Sequence, residues 1–173
     1  ARLRAMRHII KEHKSSLIFT NTREAAEILS SRLRLYDQEL THDIHHSSLS
    51  KDVRIKAEKG FKEEKLKTLI CTSSLELGID IGSIDAVVQY MSPRQVSKLV
   101  QRFGRSGHGV GRTSKGFIIC AEGDDIFESS VVARKCLHGE LEKMKIHTNS
   151  FDVLAHQIIG MLMADYEIKI KEV

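Results

Sequence analysis

Two rhythms of apolar positions alternate along this chain. Short, nearly continuous apolar runs lie at Ser15–Thr20, Leu66–Thr72, Ile84–Tyr90 and Lys115–Ala121, and His42–His46 reads as a further short strand-like run. They predict strands, and the run at Ile84–Tyr90 is apolar enough to be buried on both faces. Between them the apolar positions fall three and four apart, which predicts amphipathic helices. Leu3, Met6 and Ile10 mark a short entering helix. Ala26, Leu29 and Leu33 follow a cap at Asn21 or Thr22, with Glu24 placed as a capping carboxylate. Val53, Ala57 and Phe61 follow a cap at Ser50. Val96, Leu99, Val100 and Phe103 follow Ser92-Pro93-Arg94-Gln95, where serine reads as the cap, proline as the first helical residue and glutamine as the far side of a capping box. Gly104 ends that helix. This alternation implies parallel β-α-β units, an α/β fold with helices on both faces of one sheet.

The pattern changes after Gly123. A long helix is predicted over Asp124–Leu141 with no strand behind it, then a polar stretch at Lys143–Thr148, then a helix over Phe151–Ala164. Leu154, Ile158 and Leu162 of this last helix have no evident cover. The expected division is a sheet domain at 1–122 and a helical extension at 123–173.

Composition narrows the picture. The 173 residues are 41% hydrophobic and 29% charged, an ordinary globular balance. A net charge of +4 permits a polyanionic partner without requiring one. No apolar run reaches the length of a membrane span, and no secretory leader precedes the first helix, so a cytoplasmic location is expected. Cys71, Cys120 and Cys136 lack paired spacing and read as free thiols in a reducing compartment. The nine histidines show no zinc-ligand spacing with cysteine, and no metal site is expected.

Candidate chemistry gathers at the strand ends. Thr20-Asn21-Thr22-Arg23 follows the first strand, His46-Ser47-Ser48 the second, and Thr72-Ser73-Ser74 the third. In an open parallel sheet these turns share the carboxyl edge, where ligands bind. Each cluster alone reads equally as an ordinary helix cap. Three at one edge favour a phosphate-rich ligand, such as a phosphodiester strand tracked by several loops. In Leu77–Gly82, Asp80 stands between Gly78 and Gly82; it reads either as turn chemistry or as an acid that approaches a sugar hydroxyl or orients an arginine. Gln101-Arg102-Phe103-Gly104-Arg105-Ser106-Gly107-His108 puts two arginines three apart at a helix end. Such arginines face outward unless something negative meets them. Their planar forks suit phosphate, and they equally favour the helix dipole.

These stretches, with Leu17–Arg23, His45–Ser50 and Cys71–Asp80, resemble in order and spacing motifs IV, V and VI of the second RecA-like domain of superfamily 2 helicases. The resemblance covers about Arg7 to Glu122 and is nearest to the Lhr-type (large helicase-related) branch, whose motif VI ends in Gly-His. Residues 149–163 resemble the start of the winged-helix region that follows the motor in that branch. Two positions depart from the wider pattern: His108 replaces a frequent second arginine, and Ser47 a usual glycine.

The resemblance implies a RecA-like sheet sandwiched by helices, in an ATP-driven helicase with DNA favoured over RNA and a role in DNA repair. It implies that Arg105 is the arginine finger, that Gln101 and Arg102 support the same phosphates, and that Gly78, Asp80 and His108 lie near the nucleotide. Thr22, Arg23, His46, Ser48, Thr72 and Ser73 would touch a single-stranded or partly duplex nucleic acid. ATP with Mg2+ would be the cofactor. The chain contains no Gly-x-x-x-x-Gly-Lys-Ser/Thr, so the phosphate-binding lysine and the magnesium-binding acids are expected on an N-terminal RecA-like domain of the same protein. Two other readings stand beside this one: a helicase-like nucleic-acid-binding module without ATPase activity, and a flavodoxin-like domain that binds a small phosphorylated ligand.

Overall fold

A computed structural model describes residues 1–76, 81–107, 114–143 and 148–165. The chain forms two compact units, Ala1–Glu142 and Lys143–Val173. In the first unit, five parallel strands lie in the order β2-β3-β1-β4-β5. They are β1 (Ser16–Phe19), β2 (His42–His45), β3 (Thr68–Cys71), β4 (Ala86–Tyr90) and β5 (Gly116–Ile119). Each lies inside its predicted run. Connecting them are α1 (Arg2–Glu12), which leads into β1, then α2 (Arg23–Tyr36), α3 (Lys51–Lys62), α4 (Val96–Phe103) and α5 (Gly123–Leu137). This is the expected α/β architecture, one parallel sheet with helices on both faces.

The two-residue period of the strands divides the core between the faces. Ile18, Ile70 and Val88 pack with Met6 and Ile10 of α1 and with Ala26, Leu29 and Leu33 of α2. Leu17, Phe19, Leu69, Cys71 and Val87 face the other way, onto Ala57 and Phe61 of α3 and Phe103 of α4. Burial on both faces explains the continuous apolar runs and pushes the Cys71 thiol well above its usual range.

One expectation fails, at the start of α4. The helix after β4 starts at Val96, not at Ser92-Pro93. Met91 and Arg94 adopt left-handed backbone at φ 65 and 63, which holds this stretch out of the helix. Its first N–H groups are capped from a distance, by the Glu142 carboxylate on Val96 and Ser97. The predicted boundary at 122/123 falls inside the first unit, because α5 packs Val132 against Val96 and Leu99 of α4. The second unit holds α6 (Phe151–Asp165), with Phe151, Val153, Leu154 and Ile159 exposed.

Candidate functional site

The turns after β1, β2 and β3 all lie at the carboxyl edge of the sheet, since the strands are parallel. Thr22 caps α2, its hydroxyl accepting from the Ala25 N–H at 3.1 Å. Arg23 at the start of α2 reaches across to the turn after β2, and its Nη1 donates to Ser48 Oγ at 2.6 Å. Both side chains are exposed. Thr72 and Ser73 open the short 3-10 turn Ser73–Leu75, with Ser73 exposed and Thr72 half-buried. His46 is buried, 3.2 Å from Glu27 Oε1, but neither of its ring nitrogens has a hydrogen-bond partner in good geometry.

His45, beside it, carries a network that sequence reasoning missed. Ser74 Oγ donates to the His45 carbonyl and lies 2.8 Å from the ring Nδ1, while Nε2 lies 2.7 Å from Glu58 Oε1. The imidazole ties β2 to the turn after β3 and to α3.

The two arginines of the Gln101–His108 stretch have opposite surroundings. Arg102 is 3% exposed. Its Nε and Nη2 donate to Glu76 Oε1, its Nη1 donates to Gln89 Oε1 at 2.6 Å and to Asn21 Oδ1 at 3.3 Å, and its carbon lies 5.2 Å from the Phe19 ring centre. The condition that turns such an arginine inward is met at Arg102: the negative group that meets it is Glu76. Register explains the assembly, since Phe19 on β1 stands beside Cys71 on β3 and Gln89 on β4, at the point where the chain leaves β1 for one side of the sheet and β4 for the other. A lone amide in an otherwise apolar strand was the available signal for Gln89. Nothing in the local spacing marked Glu76, and Asn21 read only as a cap and a member of the turn cluster after the first strand.

Arg105 is half-buried and points its fork at a neutral acceptor. Nε and Nη2 donate to the Glu76 backbone carbonyl at 3.1 and 2.7 Å. Nη1 has no described partner. Gln101 is exposed on the surface of α4. Gly78, Asp80 and His108 lie outside the described residues. A cleft of about 400 Å³ opens at the same edge beside Asn21, Ser92, Arg94 and Glu122. A larger hollow of about 520 Å³ lies between α1 and α2, lined by Arg2, Arg4, Ala25, Leu29, Arg32 and Tyr90. Among the described residues, no three His, Cys, Asp or Glu side chains converge as a metal site.

Residues 1–109 match the family described as the helicase conserved C-terminal domain. The ATP-dependent helicase Lhr-Core of Methanothermobacter thermautotrophicus is 43% identical over 157 residues, spanning 88% of this chain and 18% of that protein. The Lhr helicase/uracil glycosylase of Escherichia coli is 34% identical over 187 residues, spanning 90% of this chain and 12% of that protein. The chain thus spans less than a fifth of these relatives. The solved structure of Mycobacterium smegmatis helicase Lhr bound to ssDNA and AMP-PNP superimposes with a TM-score of 0.88 at 34% identity, over 94% of this chain and 22% of that one. Dbp5 of S. cerevisiae, bound to RNA and ADP BeF3, shares the fold at a TM-score of 0.69 and 24% identity, over 93% of this chain and 42% of that one. The chain belongs to the helicase conserved C-terminal domain family, as a second RecA-like domain of the Lhr type.

Proposed function

We propose that this chain is the second half of an ATP-driven nucleic-acid translocase and supplies Arg105 to a nucleotide held between it and a partner RecA-like domain. The observation that carries the reading is the state of Arg105. Its guanidinium sits at the carboxyl edge of the sheet on a neutral carbonyl, with donors to spare. A phosphate adds the attraction of a full negative charge and a geometry that matches the guanidinium fork, neither of which a neutral carbonyl offers, so an arriving γ-phosphate would outcompete that carbonyl. Phosphoryl transfer spreads charge over the equatorial oxygens, and an arginine fixed there stabilises it. The Mg2+ that travels with ATP would take its protein ligands from the partner domain, where the phosphate-binding lysine is also expected. Gly78, Asp80 and His108 belong to the same reading as neighbours of the nucleotide, and Gln101 as a flanking donor.

Arg23, Ser48, Thr72, Ser73 and Thr22 would form the strand track, with His46 behind them. DNA as the preferred substrate, and DNA repair as the setting, draw support from the Mycobacterium smegmatis relative described with ssDNA and the Escherichia coli relative described as a uracil glycosylase as well as a helicase. Competition between DNA and RNA strands of one sequence tests the preference.

The deciding experiment is Arg105→Ala in a protein that carries both motor domains. ATP turnover should fall by on the order of 10³, with ATP affinity and melting temperature nearly unchanged. Normal turnover would overturn the reading, and a large loss of stability with unaltered turnover would leave Arg105 a helix-end residue.

A further inference from the structure

We infer that Glu76 and Arg102 form a buried latch that positions Arg105, and that Arg102 itself does not reach the nucleotide. This deepens the reading of Arg105 as the phosphate-facing arginine and rests on it. One residue holds both arginines by two different groups. The Glu76 carboxylate accepts from Arg102 Nε at 2.7 Å and from Nη2, while the Glu76 backbone carbonyl accepts from Arg105 Nε and Nη2. The first bond set is charged on both sides and almost dry, with the Glu76 and Arg102 side chains 11% and 4% exposed. It has no easy substitute, because a buried guanidinium without its carboxylate is left as an uncompensated charge. The second set has a neutral acceptor and is exchangeable.

The geometry also removes Arg102 as a phosphate ligand. All three of its nitrogens are bonded inside the protein, to Glu76, Gln89 and Asn21. Phe19 lies against the guanidinium carbon. Withdrawing it would strand Glu76 and Gln89 together. The latch therefore locks the ends of β1, β3 and β4 to α4, and it fixes the height of the Glu76 carbonyl on which Arg105 rests. Glu76 and Arg102 are positioning residues, and Arg105 alone is the phosphate-facing group.

The test uses a paired replacement, Glu76→Gln with Arg102→Met, which removes both buried charges together and keeps the volume filled. In a protein with both motor domains, kcat for ATP should fall about 10- to 100-fold, the range for a catalytic group displaced by about an ångström, with KM changed less than about twofold. Placed on Arg105→Ala, the same pair should cause no further fall, because the latch acts through Arg105. An unchanged kcat would overturn the latch, and so would an additive loss on the Arg105→Ala background. In the present chain, the Arg105 Nε–H should exchange slowly with solvent and lose that protection in the paired variant. Unaltered protection there overturns the latch even if Arg105→Ala proves silent in turnover, so failure of the latch and failure of the Arg105 reading are told apart. Should the pair not fold, Gln89→Leu removes one Nη1 acceptor without touching either charge. It should give the same kcat-only effect, smaller in size, and its absence would also overturn the proposal.

Discussion

Arg102 and Arg105 are the same residue type one helical turn apart, and burial separates their tasks. Arg102 meets a carboxylate and becomes part of the core; Arg105 meets a carbonyl and stays available. Between them, Phe103 sets another single-residue requirement. Gly116 opens β5 against its ring, where an added Cβ would lie 2.2 Å from Cδ2 and 2.6 Å from Cγ. The ring is held by both core clusters it touches and cannot swing aside freely. Gly116→Ala should therefore destabilise the protein by about 1–3 kcal/mol, the usual range for overpacking, read from chemical denaturation. A stability equal to the parent chain would show that Phe103 can move. At this scale the end of α4 at Gly104, and with it the place of Arg105 just beyond the helix, could be read locally. It did not disclose the fate of Arg102, whose partner Glu76 is brought in by the parallel pairing of β1 with β3.

At the scale of elements, strands were the most legible part. The central strands β1, β3 and β4 are nearly continuous in apolar residues and buried on both faces, so tertiary context reinforced local pattern. The start of α4 was not legible, since Ser-Pro-Arg-Gln satisfies a local capping rule that the tertiary structure does not use. Glu142, contributed from beyond α5, takes that role, and two backbone N–H groups hold its carboxyl well below the usual range, at about 2. Asp37 at the end of α2 is held to about 2 by Lys11 and Arg7 of α1. A carboxyl whose folded pKa is depressed stabilises the fold above its unfolded pKa, near 4, and that stabilisation is lost as pH falls through the folded value. The chain should accordingly lose melting temperature between about pH 4 and pH 2. Glu142→Ala should melt lower than the parent at neutral pH, and the gap should close across the same acidic window. A gap that stays constant down to pH 2 would mean that the carboxylate charge plays no part in the cap. The pH scan should be made in moderate salt, because the exposed partners of Asp37 are screened there.

The first unit presents a sheet edge with exposed Arg23, Ser48 and Ser73. A net charge of +4 is too small for a general attraction to polyanions to dominate, so binding to a nucleic-acid strand has to come from particular contacts. Backbone contacts release counterions, and for single strands each neutralised phosphate contributes about 0.7 to the slope of log affinity against log salt. Arg23 is the cation placed to make such a contact, bridging the turns after β1 and β2 through Ser48. Weak, salt-sensitive binding of this chain to a single strand of DNA is expected, and Arg23→Ala should lower the slope by about 0.7 while weakening all sequences alike. Ser48→Ala should leave the slope alone, because it removes a positioning hydroxyl and no charge. If the slope survives Arg23→Ala, the strand runs elsewhere on the surface. If Arg23→Ala weakens one sequence far more than another, the side chain reads bases, and the carboxyl edge is then a recognition surface in place of a sequence-indifferent track.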